Sequence, residues 1–110
     1  MQTIQLTVHT TLFGAAQLIR LRGWAKHTMQ TALGALCLRG AIRRYIAEAF
    51  PAGTDAVEYT NAIEDAEQRL QEHVHTLHDR IHMTVWNDTV CLSQEDAIAM
   101  LEGAALQHAA

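Results

Sequence analysis

The sequence predicts a mainly all-α protein, a compact bundle of about four helices, and three observations carry that expectation. Apolar residues make up 49% of 110 residues with a single proline, a composition that favours uninterrupted helix. Apolar positions recur at helical spacing in several segments, and the segment ends carry capping and stop residues. The length suits a single domain, 1–110, with one core.

The elements follow in order. Ile4, Leu6 and Val8 alternate with Gln5, Thr7 and His9, the period of a short N-terminal strand or an extended arm. Thr10 or Thr11 can cap a first helix through LFGAAQLIRLR, which stops at Gly23, with Trp24 folding back towards Ile19. Residues 25–36, AKHTMQTALGAL, admit a turn or small β-hairpin between the first two helices, and their Ala and Leu content also permits helix. From Cys37 the pattern clears. Leu38, Ala41, Ile42, Tyr45, Ile46 and Ala49 form one apolar stripe, ended by Phe50-Pro51-Ala52-Gly53.

The third helix should begin near Thr54 and Asp55 and run to about Ile81. Ile63, Glu67, Leu70, Val74, Leu77 and Ile81 make a short heptad seam along it, which can pack within the chain or carry a homo-oligomer contact over residues 63–81. Ser93 and Asp96 then form a capping pair, and Ala97, Ile98, Leu101, Ala104 and Ala105 form the buried face of the last helix.

Charge is divided unevenly. Residues 1–50 hold six basic side chains against Glu48 alone, while residues 51–110 hold Arg69 and Arg80 against eleven acids, for a net charge of −4. Opposite halves should pair, within the chain or between chains. Arg39, Arg43 and Arg44 are the candidate basic patch for nucleic acid, although an acidic protein works against phosphate attraction. No apolar run is long enough to span a bilayer and the N-terminus lacks a signal-peptide pattern, so a soluble, cytoplasmic protein with no membrane contact is expected. Cys37 and Cys91 are then expected as thiols.

Candidate chemistry is sparse. His78 and His82, one turn apart on the expected helix, have the spacing of a two-His metal site, but no partner element accompanies them. Cys37, His82 and Asn87 or Asp88 follow the chain order of a thiol hydrolase. There is no glycine-rich phosphate loop, nucleophile elbow or zinc-finger spacing, and no cofactor is expected. Trp86, Asn87 and Asp88 stand just ahead of the last helix, where they can either contact a ligand or hold the chain, Trp86 as a core plug and the other two by bonding nearby backbone.

The segments AAQLIRLRGW (15–24), CLRGAI (37–42) and VWNDTVCLSQEDAIAMLEGAA (85–105) resemble a family of small uncharacterised proteins of actinobacteria and their phages. Trp24, Cys37, Gly40, Ala41, Trp86, Asn87 and Asp88 match its Gly-Trp, Cys-x-x-Gly-Ala and Trp-Asn-Asp motifs. TALGAL before Cys37 and TVCLS after Asp88 depart from the family's usual polar steps. The resemblance implies a fold but no activity. The function expected is therefore non-enzymatic: interaction with a protein partner or self-assembly, in a phage as a modulator of a host process. Its rivals are a small ligand-binding or thiol-dependent enzyme using Cys37 and the Trp86-Asn87-Asp88 loop, and nucleic-acid binding through Arg39, Arg43 and Arg44.

Overall fold

A computed structural model describes residues 7–107. Helix α1 spans Val8–Arg22 and is capped by Thr7, whose hydroxyl accepts from the Thr10 amide at 3.0 Å. Thr10 and Thr11, the expected caps, lie inside the helix, because Thr7 already adopts the extended cap backbone and Thr11 Oγ1 donates back to Thr7 O at 2.8 Å. Val8 of the expected N-terminal strand is therefore helical; Ile4 and Leu6 lie outside the described residues. Gly23, at φ 99°, stops the helix and donates to Ile19 O at 2.8 Å.

No β-hairpin follows. The loop from Trp24 to Cys37 is tied by two isolated bridges, and the described residues contain no strand. The reason is one residue, Leu36, which donates to Gly23 O at 2.9 Å and accepts from the Ala25 amide at 3.0 Å. That straddle is parallel, and the antiparallel pairing of Leu36 with Gln30 is a single isolated bridge that does not extend into a ladder.

Helix α2 (Leu38–Ala49) buries Leu38, Ala41, Ile42 and Ile46, as its apolar stripe predicts, and ends ahead of Pro51. Helix α3 (Ala56–Leu77) is capped by Asp55, which accepts from the amides of Val57 and Glu58. It stops four residues short of Ile81. His78 turns extended and Arg80 takes a left-handed φ of 61°. Gln71 then holds the returning chain against the helix, donating to Ile81 O at 2.9 Å and accepting from the Met83 amide at 2.8 Å.

A one-turn helix α4 (Met83–Val85), capped by His82, leads directly into a single π-helical turn, Trp86–Val90, closed by the Cys91 amide donating to Trp86 O at 2.8 Å. Helix α5 (Gln94–Gln107) follows, with Ser93 Oγ accepting from the Asp96 amide at 3.2 Å. Among the described residues five α-helices thus stand where about four were expected, the addition being α4.

Helix α1 is the central element, packed on α5, α2 and α3. Ala15 and Ala16 on α1 and Ala97, Ala104 and Ala105 on α5 are all buried, and such small side chains let two helix backbones approach closely. Leu70 and Val74, the centre of the heptad seam, are fully buried in the same core. Those two positions are occupied within the chain, whereas Leu77 of the same seam is exposed.

Candidate functional site

The π-turn presents Asn87 inward, where it is 1% exposed and uses its whole amide. Its Oδ1 accepts from the Trp24 indole N–H at 2.9 Å and from the Leu38 amide at 3.2 Å. Its Nδ2 donates to Ala25 O at 3.0 Å and to Asp88 Oδ1 at 2.9 Å. One side chain therefore joins the end of α1, the loop after it, the start of α2 and the π-turn. The sequence expectation placed such bonds on nearby backbone; apart from adjacent Asp88, the partners are instead 49 to 63 residues away.

Asp88 extends the same network outward. Its Oδ1 also accepts from the His27 amide at 2.8 Å, and its Oδ2 lies 3.6 Å from His27 Nδ1. His27 holds a left-handed φ of 63°, so the Asp88 bond secures a backbone state that a residue other than glycine rarely adopts. Lys26 Nζ stands 5.2 Å from the centre of the Trp24 ring. Burial acts to raise the Asp88 pKa, but the His27 amide, the Asn87 amide and the nearby His27 and Lys26 side chains outweigh it and hold the carboxyl below its ordinary value.

The sign of the consequence follows from that direction. Stability contributed by Asp88 is complete above the ordinary Asp value of about 3.9 and is lost as pH falls through the lower folded-state value. Asp88→Asn, which keeps an acceptor for the His27 amide, should flatten this part of the acid limb in urea unfolding measured from neutral pH downward. An acid limb identical to that of the unaltered protein would contradict the assignment.

Cys37 sits beside this network as the cap of α2, its Sγ accepting from the Gly40 amide at 3.2 Å. Burial raises its pKa, the Asp88 charge adds to that, and bonds from the Gly40 and Arg39 amides oppose it only in part. A thiol held neutral is a poor nucleophile. Gly40 is required by proximity: a Cβ there would lie 2.0 Å from Met29 O, so the loop backbone rests directly on α2.

The arginines are largely consumed by acids. Arg39 and Arg43 both bond Glu67, at 3.1 Å each, and Arg20 meets Glu102 at 3.0 Å. These bonds pair the basic and acidic halves within the chain. Arg22 grips Glu48 with two bonds at 2.7 and 2.9 Å, and Arg44 lies 3.9 Å from the same carboxylate. The candidate metal pair does not share a helix face, because α3 ends at Leu77, ahead of both residues, and His82 caps α4. His78 packs its ring 6.1 Å from Trp86, and His82 Nδ1 accepts from the Thr84 amide at 3.1 Å. Among the described residues no group of three or more His, Cys, Asp or Glu gathers in a geometry that could hold a metal ion. His82 bonds neither Cys37 nor Asn87 among the described residues.

Trp86 points away from this network into a separate feature. With Leu77, His78, Val90, Leu92, Asp96 and Met100 it lines an open cleft of about 330 Å³ between the end of α3, the π-turn and α5. Trp86 is 5% exposed, yet its indole N–H has no acceptor among the described residues. Leu77 at 57% and Leu92 at 82% exposure stand at the same cleft.

The model of a family of unknown function, DUF6197, matches residues 3–107. The chain belongs to that family. No curated protein and no solved structure matches it. The DUF6197 match spans every part of the Asn87 network, from Trp24 to Asp88. Of the residues singled out in the sequence, the network brings together Trp24, Asn87 and Asp88 and borders Cys37 and Gly40; Trp86 and His78 meet at the cleft, and Arg39 and Arg43 meet at Glu67. Sequence reasoning missed Gln71, Ala25 and His27, whose parts depend on backbone groups and leave no side-chain pattern. It also missed Leu92, whose exposure beside Trp86 depends on the π-turn.

Proposed function

We propose that this DUF6197 protein is a non-enzymatic interaction protein whose contact face is the apolar cleft around Trp86. The observation that carries the reading is the pair of exposed leucines, Leu77 and Leu92, at an open cleft lined by the buried Trp86. A partner segment with an apolar side chain would cover both leucines and fill the cleft between them. Asp96 lines the cleft, with Glu95 beside it, so the segment should carry basic residues next to its apolar anchor. Two copies facing each other here would oppose like charges, which favours a different protein as the occupant. The motif residues, in this reading, serve as the lock that holds the loop, and Cys37 serves as a helix cap. The resemblance to actinobacterial and phage proteins suggests the setting, a host cytoplasm in which a phage-borne copy modulates a host process.

The test is a double variant, Leu77→Asp with Leu92→Asp. Both positions are exposed, so stability should change by no more than about 0.5 kcal/mol per site. A protein captured from the native host by the unaltered chain should bind again when both are purified, and that binding should be lost with the double variant. Retention of binding by the folded variant would contradict the proposal, as would sedimentation showing that the cleft is covered by a second copy.

A further inference from the structure

A second cleft, which shares no lining residue with the first, has a different character. Met29 and Gln30 of the loop form one wall, Tyr59 of α3 the other, and Gly40, Arg43, Arg44 and Ala47 of α2 the floor, around a volume of about 350 Å³. That volume falls within the range of small-ligand pockets.

Its charge is the decisive feature. Arg39 and Arg43 share the single carboxylate of Glu67, and Arg22 and Arg44 share that of Glu48. Four guanidinium groups thus meet two carboxylates, and two positive charges remain unmatched in a protein whose net charge is −4. Arg44 is the less satisfied of the two arginines on the cleft floor: among the described residues its one hydrogen bond, at 2.7 Å, goes to the neutral Gln30 Oε1, and Glu48, already gripped by Arg22, is 3.9 Å away. Arg43 leans towards α3 and Arg44 towards the loop, so the two place guanidinium groups towards opposite walls. Arg43 still spends its bonds on Glu67, which leaves Arg44 as the principal anion donor.

We infer that this cleft binds a small organic phosphate. A phosphate monoester carries close to two negative charges at neutral pH and presents oxygens in several directions, which suits two guanidinium groups on separate walls. Tyr59, Met29 and Ala47 supply an apolar surface for the body of the ligand. A nucleic-acid strand is disfavoured, because polymer binding uses a continuous basic track and here only two charges are unmatched. The site is separate from the Trp86 cleft and does not depend on the function proposed for it.

The probe is adenosine monophosphate, titrated into the folded protein at fixed ionic strength and followed by amide NMR, with inorganic phosphate and a short oligothymidylate as parallel arms. Adenosine monophosphate should shift the amides of Gln30, Arg43 and Arg44 saturably and bind more tightly than inorganic phosphate. Arg44→Gln removes the charge at a partly exposed position and should weaken binding at least about tenfold, while the Leu77→Asp, Leu92→Asp variant should bind as the unaltered protein does. The inference is overturned if the folded protein shows no saturable shifts, if Arg44→Gln binds equally well, or if inorganic phosphate binds as tightly as the nucleotide. Tighter binding of the oligothymidylate would overturn it in favour of a nucleic-acid site.

Discussion

Asn87→Ala is expected to destabilise the protein by about 3–5 kcal/mol, a large share of the roughly 5–15 kcal/mol that holds a domain of ordinary stability. The substitution removes little volume, so cavity formation is a minor part of the loss. Its main effect is to strand the Trp24 indole N–H, the Leu38 amide and the Ala25 carbonyl, each of which bonds Asn87 in the intact protein. An unpaired buried group costs about 1–3 kcal/mol, and water reaching the half-buried Trp24 recovers some of the sum. Urea unfolding gives the value directly. Asn87→Asp separates bonding from shape, because it keeps the acceptor but loses the donor to Ala25 O and sets a second carboxyl against Asp88. It should also destabilise at neutral pH, and it should recover stability in mild acid, where a protonated carboxyl can donate again. Stability near that of the unaltered protein in Asn87→Ala would show that the amide is not the lock described above.

Gly40→Ala is expected to destabilise by about 2–3 kcal/mol, against the usual direction for this change inside a helix. Helix propensity alone favours alanine by about 1 kcal/mol. The new methyl group, however, would lie 2.0 Å from Met29 O and 2.8 Å from Met29 C, both backbone atoms of the loop resting on α2. The loop would have to lift, straining the bond from the Cys37 amide to Met29 O and the cap that Cys37 supplies to the Gly40 amide. Gly103→Ala is the control. There the nearest atom is His73 Nε2, at the far end of a side chain that can rotate away, so the change should be neutral or mildly stabilising. Thermal melts of the two variants should therefore move apart, and a shared upward shift would contradict the close loop contact.

The contrast between these two glycines indicates what was legible in the sequence. Features set within one turn of chain were readable: Ser93 with Asp96, Asp55 ahead of α3, Gly23 as a stop, and the apolar stripe of α2. Thr7 falls in the alternating pattern that suggests a strand, which leaves Thr10 and Thr11 as the caps by sequence, and only the backbone at Thr7 reveals it as the cap. Features set across long separations were not readable. Helix α3 ends at Leu77 because Gln71 bonds the chain 10 and 12 residues later, and nothing in the heptad pattern signals that return. The loop after α1 resembled a hairpin in composition, but Leu36 bridges its ends in parallel. The arginines stood out by type alone, while Glu67, which receives two of them, lay 24 and 28 residues away on another helix.

The motif residues follow the same division. Their identities marked a place of consequence, but the question of ligand contact or chain support depended on where the π-turn aims them. It turns Asn87 towards the Trp24–Cys37 loop and packs Trp86 into the core, where it also lines the cleft. The proposed interaction face rests on Trp86, and the support for it rests on Asn87.

The most direct test of that arrangement is hydrogen exchange read by NMR at the Trp24 indole N–H and the amides of Leu38 and His27, compared between the unaltered protein and Asn87→Ala. The three protons should be protected in the unaltered protein. In the variant the Trp24 and Leu38 protons should exchange much faster relative to amides in the centre of α5, with His27 following as Asp88 loses its neighbour. Equal protection in both proteins, or a uniform loss across α5 as well, would contradict a local lock centred on Asn87.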